Sequence, residues 1–170
     1  MAKAYTITSD PFFVNGNVTE TAADTYTQTQ ISLPLDSLNR EGVLVHAVYF
    51  SGQEPERILD ATSQVKLQVT STSQTGIVGA NNANLIASQQ KTIVGGTAEF
   101  SALTLIDQIG SNMPYSMDDN LMIIATDDAF FGIQGVNQNT VKQAQMRMVC
   151  SRIRLTADAY AALVTNELSS

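Results

Sequence analysis

The chain has little of what most catalytic and metal-binding proteins use. Its 170 residues include one histidine, one cysteine and no tryptophan. A single histidine, His46, excludes a metal site built from several histidines. A single cysteine, Cys150, excludes an internal disulfide framework. The glycines at 95–96 and 132–135 match no phosphate-binding loop. We therefore expect no catalytic residue, no metal and no cofactor.

Long apolar segments and basic arms are also missing. The first residues, MAKAYTITSD, lack the apolar segment of a signal peptide. Its apolar runs, such as residues 121–125, are far shorter than the roughly 20 residues that span a bilayer. We therefore expect no transmembrane segment and a soluble product made in the cytoplasm. The net charge is −7, and only Lys3 lies near the N-terminus. Because nucleic acids are bound by replacing counterions with Lys and Arg, direct nucleic-acid binding is disfavoured.

Uncharged polar residues take the place of charged ones. Only 15% of the chain is charged, against roughly 25% in an average soluble domain. Thr, Ser, Asn and Gln number 18, 14, 11 and 13, which is about a third of the chain. Such a surface costs less to desolvate than a charged one, which favours contact with neighbouring molecules. The alternative is that the threonines only reflect a preference for strands.

The spacing of apolar residues predicts an all-β protein. Val65, Leu67 and Val69 alternate with polar residues, which is typical of a half-buried strand at 64–71. Residues 43–50 are apolar on both faces, as in a central strand. In residues 141–155 the apolar positions change parity after Cys150, which predicts a β-bulge. Further strands are predicted at 4–8, 25–33, 97–106, 120–126 and 130–133.

Turn residues and long connections organise these strands. Glycine-containing turns at 15–17, 40–42, 51–52 and 95–96 separate them. The connections between the predicted strands are longer than hairpin turns, which favours a Greek key over a meander. We therefore predict a single domain over residues 1–170. Its fold would be an antiparallel β-sandwich of seven or eight strands with jelly-roll or Greek-key topology.

Two segments are predicted to be helical. Residues 80–91 (ANNANLIASQQK) would form a short helical insertion between strands. A C-terminal helix over 157–168 would begin after Thr156, a favourable N-cap residue. Tyr160, Val164 and Leu168 then form one apolar stripe. That stripe covers either the chain's own sandwich or a neighbouring molecule, and both interpretations stay open.

Two groups of residues could support chemistry, and each has a structural alternative. Cys150 and His46 are a conceivable nucleophile and base, but both lie on predicted strands, where a buried thiol and a satisfied histidine are favoured. Asp118-Asp119 and Asp127-Asp128 flank a predicted strand, and their spacing matches no calcium loop. The aspartates are then either solvated loop charges or partners of a basic surface on a neighbour.

A local basic strand stands out in this acidic chain. Lys142, Arg147, Arg152 and Arg154 are four of its nine basic residues. One interpretation is an exposed edge strand protected by its charges. Another is a subunit interface, in which this strand meets Asp118, Asp119, Asp127 and Asp128 of an adjacent copy. Contact with a packaged polyanion is a third. We predict that Arg152 and Arg154 share a face, since alternate residues of a strand do.

The strand layout, the polar composition and the last strand running into a terminal helix together resemble single jelly-roll viral capsid proteins. That resemblance implies a major capsid protein without catalysis, located in the virion and made in the host cytoplasm. Copies of the chain would assemble into an icosahedral shell. This chain lacks the basic N-terminal arm of many such proteins, so other virion proteins or an internal membrane would be further partners.

Two other classes remain open. The first is another assembling virion or surface-lattice subunit. The second is a monomeric β-sandwich module that binds a glycan or another ligand through exposed Tyr26, Tyr49 or Tyr115. The first class differs from a capsid protein in the shape of its assemblies. The second predicts a dispersed monomer.

Overall fold

The computed structural model describes residues 4–96, 104–109 and 120–168. These residues form ten strands and one helix, compared with the seven or eight strands predicted. The strands are β1 (Tyr5–Ile7), β2 (Phe12–Thr19), β3 (Thr27–Ser32), β4 (Glu41–Gly52), β5 (Thr62–Thr70), β6 (Leu85–Val94), β7 (Thr104–Ile109), β8 (Met122–Ile124), β9 (Asp128–Val136) and β10 (Gln143–Leu155), and the helix is α1 (Ala157–Leu168). A 3-10 turn, Ser37–Asn39, precedes β4.

The strands form two antiparallel sheets. In the first sheet, β10 lies between β4 and an edge made of β1 and β2, and β8 follows β4. In the second, the order is β3-β9-β5-β6-β7. β1 pairs with the end of β10 and β2 with its beginning, so the two short strands together act as one edge strand.

The pairing of the strands is nested along the chain. β2 pairs with β10, β3 with β9, β4 with β8 and β5 with β6, and successive pairs alternate between the two sheets. Eight strands wound in this way form a jelly roll. β1 lengthens the first strand, and β7 adds a fifth strand beyond β6. The predicted all-β sandwich class is confirmed.

The main core lies between the inner faces of the two sheets. Val45, Val48 and Met148 of the first sheet and Leu67 and Phe131 of the second are all at most 2% exposed. Phe50 stacks on Phe131 across the core, with ring centroids 6.0 Å apart. The period-two alternation of apolar residues therefore reports the face that each strand turns towards the opposite sheet.

A second apolar cluster lies on the outer face of the first sheet, under α1. Leu44, Ile153 and Leu155 of the sheet pack with Leu163 and Val164 of the helix. The amide of Ala159 donates to the Thr156 hydroxyl at 3.4 Å, so Thr156 caps the helix as predicted. The predicted helix is confirmed, and its apolar side covers its own domain. Within the described residues, no helix is long and apolar enough to cross a bilayer.

The bulge predicted near Cys150 exists, but the extra residue belongs to the partner strand. Val149 of β10 lies opposite Ala47, whereas the next residue, Cys150, lies opposite Val45. His46 of β4 is therefore the extra residue. The change of parity in β10 has a different cause: its first half turns apolar residues into the sandwich, and its second half turns them towards α1.

Several predictions of local structure are wrong, and the turn at 51–52 is one of them, since both residues lie within β4. Residues 80–91 do not form a helix, because Leu85–Val94 is strand β6, paired with β5 on one side and β7 on the other. Its Ala, Leu, Gln and Lys residues favour helix, and pairing on both sides outweighs that preference. The residues around Gly16 are not a turn, since they lie within β2. A Cβ at Gly16 would lie 2.6 Å from Ile31 Cδ1, so this glycine makes room for a core side chain.

Candidate functional site

The uncovered part of the first sheet's outer face is the candidate site. Here β10 lies between β2 and β4, and the register places outward residues directly opposite one another. They form three rows across the strands, which we call the three-strand grid: Phe13, Val149 and Ala47; Asn15, Arg147 and Tyr49; Asn17, Gln145 and Ser51. The rows run from apolar to polar. This arrangement follows from strict alternation in β2 and β10, whose intervening residues enter the core.

The grid is an open depression of about 920 Å³. Phe13 is 63% exposed and Tyr49 47% exposed, which is high for rings on a sheet face. The Arg147 guanidinium carbon lies 5.2 Å from the centre of the Phe13 ring. Arg147 Nε also donates to Asn15 Oδ1 at 3.1 Å. The Phe13 ring and the Asn15 hydrogen bond together orient this charged group, and Tyr49 is its cross-strand neighbour.

The chemistry of this arrangement is recognition. A guanidinium is a planar cation with several N–H donors, so Arg147 is suited to bind an anion. The aromatic rings offer flat apolar surfaces, and the amides of Asn15, Asn17 and Gln145 offer both donors and acceptors. A few polar groups converging beside apolar surface are typical of ligand sites.

His46 and Cys150 do not come together as a catalytic pair. His46 Nδ1 lies 2.9 Å from Asn120 Oδ1, and His46 Nε2 lies 2.9 Å from Ser151 Oγ. Both ring nitrogens are therefore engaged, on the outer side of the sheet next to Ser151. Cys150 points into the core between the sheets, and burial raises the pKa of its thiol to about 12. A thiol with that pKa is protonated and a poor nucleophile near neutral pH.

The four cationic residues of the predicted interface are distributed along β10. Lys142, just before the strand, is buried, and its ammonium lies 2.7 Å from Glu56 Oε1 of the same chain. Arg147 belongs to the three-strand grid. Arg152 and Arg154 lie at the far end, at alternate positions of the strand.

The acidic residues of the predicted interface are only partly described. Asp118 and Asp119 lie outside the described residues. Asp128 begins β9, and the Asp127 carbonyl accepts a hydrogen bond from the Leu33 amide at 2.7 Å. In the described ranges, no group of three or more His, Cys, Asp or Glu side chains could hold a metal ion.

Of the tyrosines considered as ligand platforms, Tyr49 is the one in the grid. Tyr26 is partly buried, and its hydroxyl bonds to Gln28 Oε1 and Gln68 Nε2 at 3.2 and 2.9 Å. Burial raises the pKa of Tyr26. Tyr115 lies outside the described residues. Phe13 was missed because Gly16 was interpreted as a turn, although the alternation in FFVNGNVT carries the signal.

Two carboxylates at one end of the sandwich, the buried Glu20 and the partly exposed Glu56, were also missed. Glu20 is 4% exposed and accepts hydrogen bonds from the Gly135 and Lys142 amides, at 2.5 and 2.8 Å. Glu56 accepts from Lys142 Nζ, from the Thr140 hydroxyl and from the Asn139 amide. These contacts, Lys142 first, lower the pKa of Glu56 to about 2. The two carboxylates hold three connecting segments together, which is a structural role.

Comparisons with known proteins leave the family open. No protein-family model matches this chain, and no curated protein matches it. Among solved structures, a chain of Desmodium yellow mottle tymovirus is 9% identical with a TM-score of 0.28, and the match covers 86% of each chain. A putative glycoside hydrolase from Bacteroides thetaiotaomicron is 9% identical with a TM-score of 0.26. This match covers 84% of the present chain and 47% of the hydrolase. The jelly-roll assignment therefore rests on the strand pairing itself.

Proposed function

We propose that this chain is a structural subunit that assembles with copies of itself into a closed icosahedral viral shell, as a major capsid protein does. The observation that carries the proposal is the nested pairing of eight strands in two sheets. Jelly rolls of this kind build viral capsids, and they also occur in lectin domains and cupins. The uncharged polar composition supports the assembling role, because such surfaces cost less to desolvate than charged ones.

One end of the first sheet has the features of a subunit contact. Leu38 in the 3-10 turn is 94% exposed. Arg154 Nε donates to the Asn39 carbonyl at 3.4 Å, and the Leu155 amide donates to the Arg40 carbonyl at 3.0 Å. We call this surface the edge patch: Leu38, Arg40, Arg152 and Arg154, with Glu41 opposite Arg154 in the register.

The composition of the edge patch fits an acidic neighbour. An exposed leucine beside cations has the mixed character of protein interfaces. The chain carries 16 acidic residues and only nine basic ones, so most of a neighbouring copy's surface charge is negative. A cationic patch that meets acidic surface on the next copy makes a head-to-tail contact, and such contacts close into rings or shells when the geometry allows.

Charge reversal at the edge patch tests the proposal. We expect purified protein to form regular closed particles, seen by light scattering and negative-stain imaging, that loosen as salt screens the charges. Arg152→Glu combined with Arg154→Glu should block assembly and leave the monomer folded by circular dichroism. The matched control is Arg57→Glu with Lys66→Glu, which changes the net charge equally at sites away from the edge patch and should still assemble.

The other outcomes separate the remaining classes. An 18.3 kDa monomer at every concentration and salt would overturn the assembly proposal and favour a binding module. Tubes, sheets or decorated particles would overturn the shell in favour of another assembling subunit. Assembly that survives the double reversal would remove the edge patch from the contact and leave the arginines as protection of a strand edge.

A further inference from the structure

We propose that the three-strand grid binds a sugar ring that carries a carboxylate, such as a uronic acid residue of an acidic glycan. The carboxylate would bind Arg147, and the ring would pack on Tyr49 and Phe13. This site is separate from the edge patch, since Arg147 is on the outer face in the first half of β10 and Arg154 is near the strand's end. The inference therefore holds whether or not the chain assembles.

The hydrogen bonds and orientation of the Arg147 guanidinium indicate a ligand that carries a carboxylate. Its Nε donates to Asn15, and its guanidinium carbon lies 5.2 Å from the centre of the Phe13 ring. Within the part of the chain that the structure describes, the two terminal nitrogens of this guanidinium make no hydrogen bond. They form the edge that binds a carboxylate through two parallel hydrogen bonds. Because stacking and the Asn15 contact already orient the side chain, little ordering remains for the ligand to impose.

The sugar follows from the groups around that cation. Arg147 is the one charged residue of the grid, and its neighbours are amides, a serine hydroxyl and aromatic rings. A polyanion such as nucleic acid needs several cations along its backbone, and the grid offers one. A single carboxylate on a hydroxyl-rich ring matches one guanidinium surrounded by Asn15, Asn17 and Gln145. The C–H face of a pyranose is apolar and packs on exposed rings such as Tyr49.

The supporting strands give the site a fixed geometry. All nine grid positions lie on three hydrogen-bonded strands, and the residues between them are core residues such as Val14, Met146 and Val48. A site built on paired strands holds its groups more firmly than one built on loops. The open volume of about 920 Å³ leaves room for more than a single ring, which suits an oligosaccharide.

The test compares a trisaccharide of galacturonic acid with its methyl ester, which has the same shape without the charge. Amide chemical shifts of the labelled protein report both the affinity and the location of binding. We expect the acid to shift resonances of β2, β4 and β10, and the ester to bind at least about tenfold more weakly, as for loss of a hydrogen bond to a charged group. Arg147→Gln should weaken the acid to the level of the ester and leave the ester unchanged. Tyr49→Ala should weaken both ligands.

Control variants and competing ligands complete the test. Arg57→Gln removes an exposed arginine outside the grid and should leave both affinities unchanged. Equal binding of acid and ester, or acid binding that survives Arg147→Gln, would overturn the proposal that the ligand's carboxylate binds Arg147. An absence of shifts in the grid at millimolar acid, in protein whose spectrum shows it folded, would overturn the site. Tighter binding of oligothymidylate at the same residues would overturn the sugar in favour of nucleic acid.

Discussion

The outer face of the first sheet has two halves that the same strands build in different ways. Under α1, β4 and β10 present Leu44, Ile153 and Leu155, all at most 2% exposed. Beyond the helix the same strands, with β2, present the three-strand grid, where Phe13 is 63% exposed. His46, the extra residue of the bulge, lies between the two halves. One sheet therefore carries a covered half and an open half.

The residue types show that the open half does not have the composition of a surface that packs against a helix. The covered half is aliphatic, and aliphatic side chains pack closely without needing polar partners. The open half combines aromatic rings, an arginine and amides, which would be costly to bury without matching partners. A mixed surface of this kind suits a ligand that brings its own hydroxyl and carboxylate groups. Composition thus separates structural cover from recognition on one continuous face.

The largest expected effect compares matched residues in the two halves. Ile153→Ala should lower the free energy of unfolding by about 2–5 kcal/mol, because it leaves a cavity under α1. Val149→Ala, four residues earlier on the same strand and in the open half, should cost less than about 1 kcal/mol. Urea denaturation at several protein concentrations measures both. A large, concentration-dependent loss for Val149→Ala would show that another copy covers the grid.

A smaller effect is expected at the boundary between the halves. His46→Ala removes the partner of Ser151, which is 2% exposed, and should cost about 1–3 kcal/mol. Ser151→Ala should cost less stability than His46→Ala, because it removes only a hydroxyl whereas His46→Ala removes a whole imidazole. If the two side chains act as one unit, the double variant will lose less stability than the sum of the single variants. Additive losses in urea denaturation would show that the two side chains contribute to stability independently of each other.

Much of the fold could be predicted because it depends on local alternation. The strand at 64–71 and the change of parity after Cys150 were both visible in the sequence and both correspond to structure. The helix after Thr156 was visible too, through its cap and its stripe. Each of these elements contacts the core in a way that its own residues reveal.

The errors occurred where distant contacts outweigh local preference. β6 is a strand because β5 and β7 pair with it, and its own Ala, Gln and Lys residues do not indicate this. Gly16 resembles a turn residue in the sequence, but it is needed because Ile31 of the other sheet packs against it. The grid itself could not be predicted without the register, since Asn15, Arg147 and Tyr49 become neighbours only through pairing.

The two ends of β10 are stabilised by different contacts, and only those at its beginning should depend on pH. The end under α1 is held by apolar packing, whereas the beginning is held through Glu56 and Lys142. The pKa of Glu56 falls from its usual 4.5 to about 2 in the folded protein, mainly through Lys142 and Thr140. Its contribution to stability is therefore complete above about pH 4.5 and is lost as pH falls towards 2.

Glu56→Gln should remove this pH-dependent contribution. We expect the variant to be less stable than the native protein near neutral pH, with a difference that shrinks between pH 4.5 and 2. Thermal unfolding across that range measures the difference, and Ile153→Ala is the control, because its cavity has no titrating group. A Glu56→Gln deficit that stays constant down to pH 2 would mean that the carboxylate acts through shape and hydrogen bonding alone. The charge on Glu56 would then have no part in holding the beginning of β10.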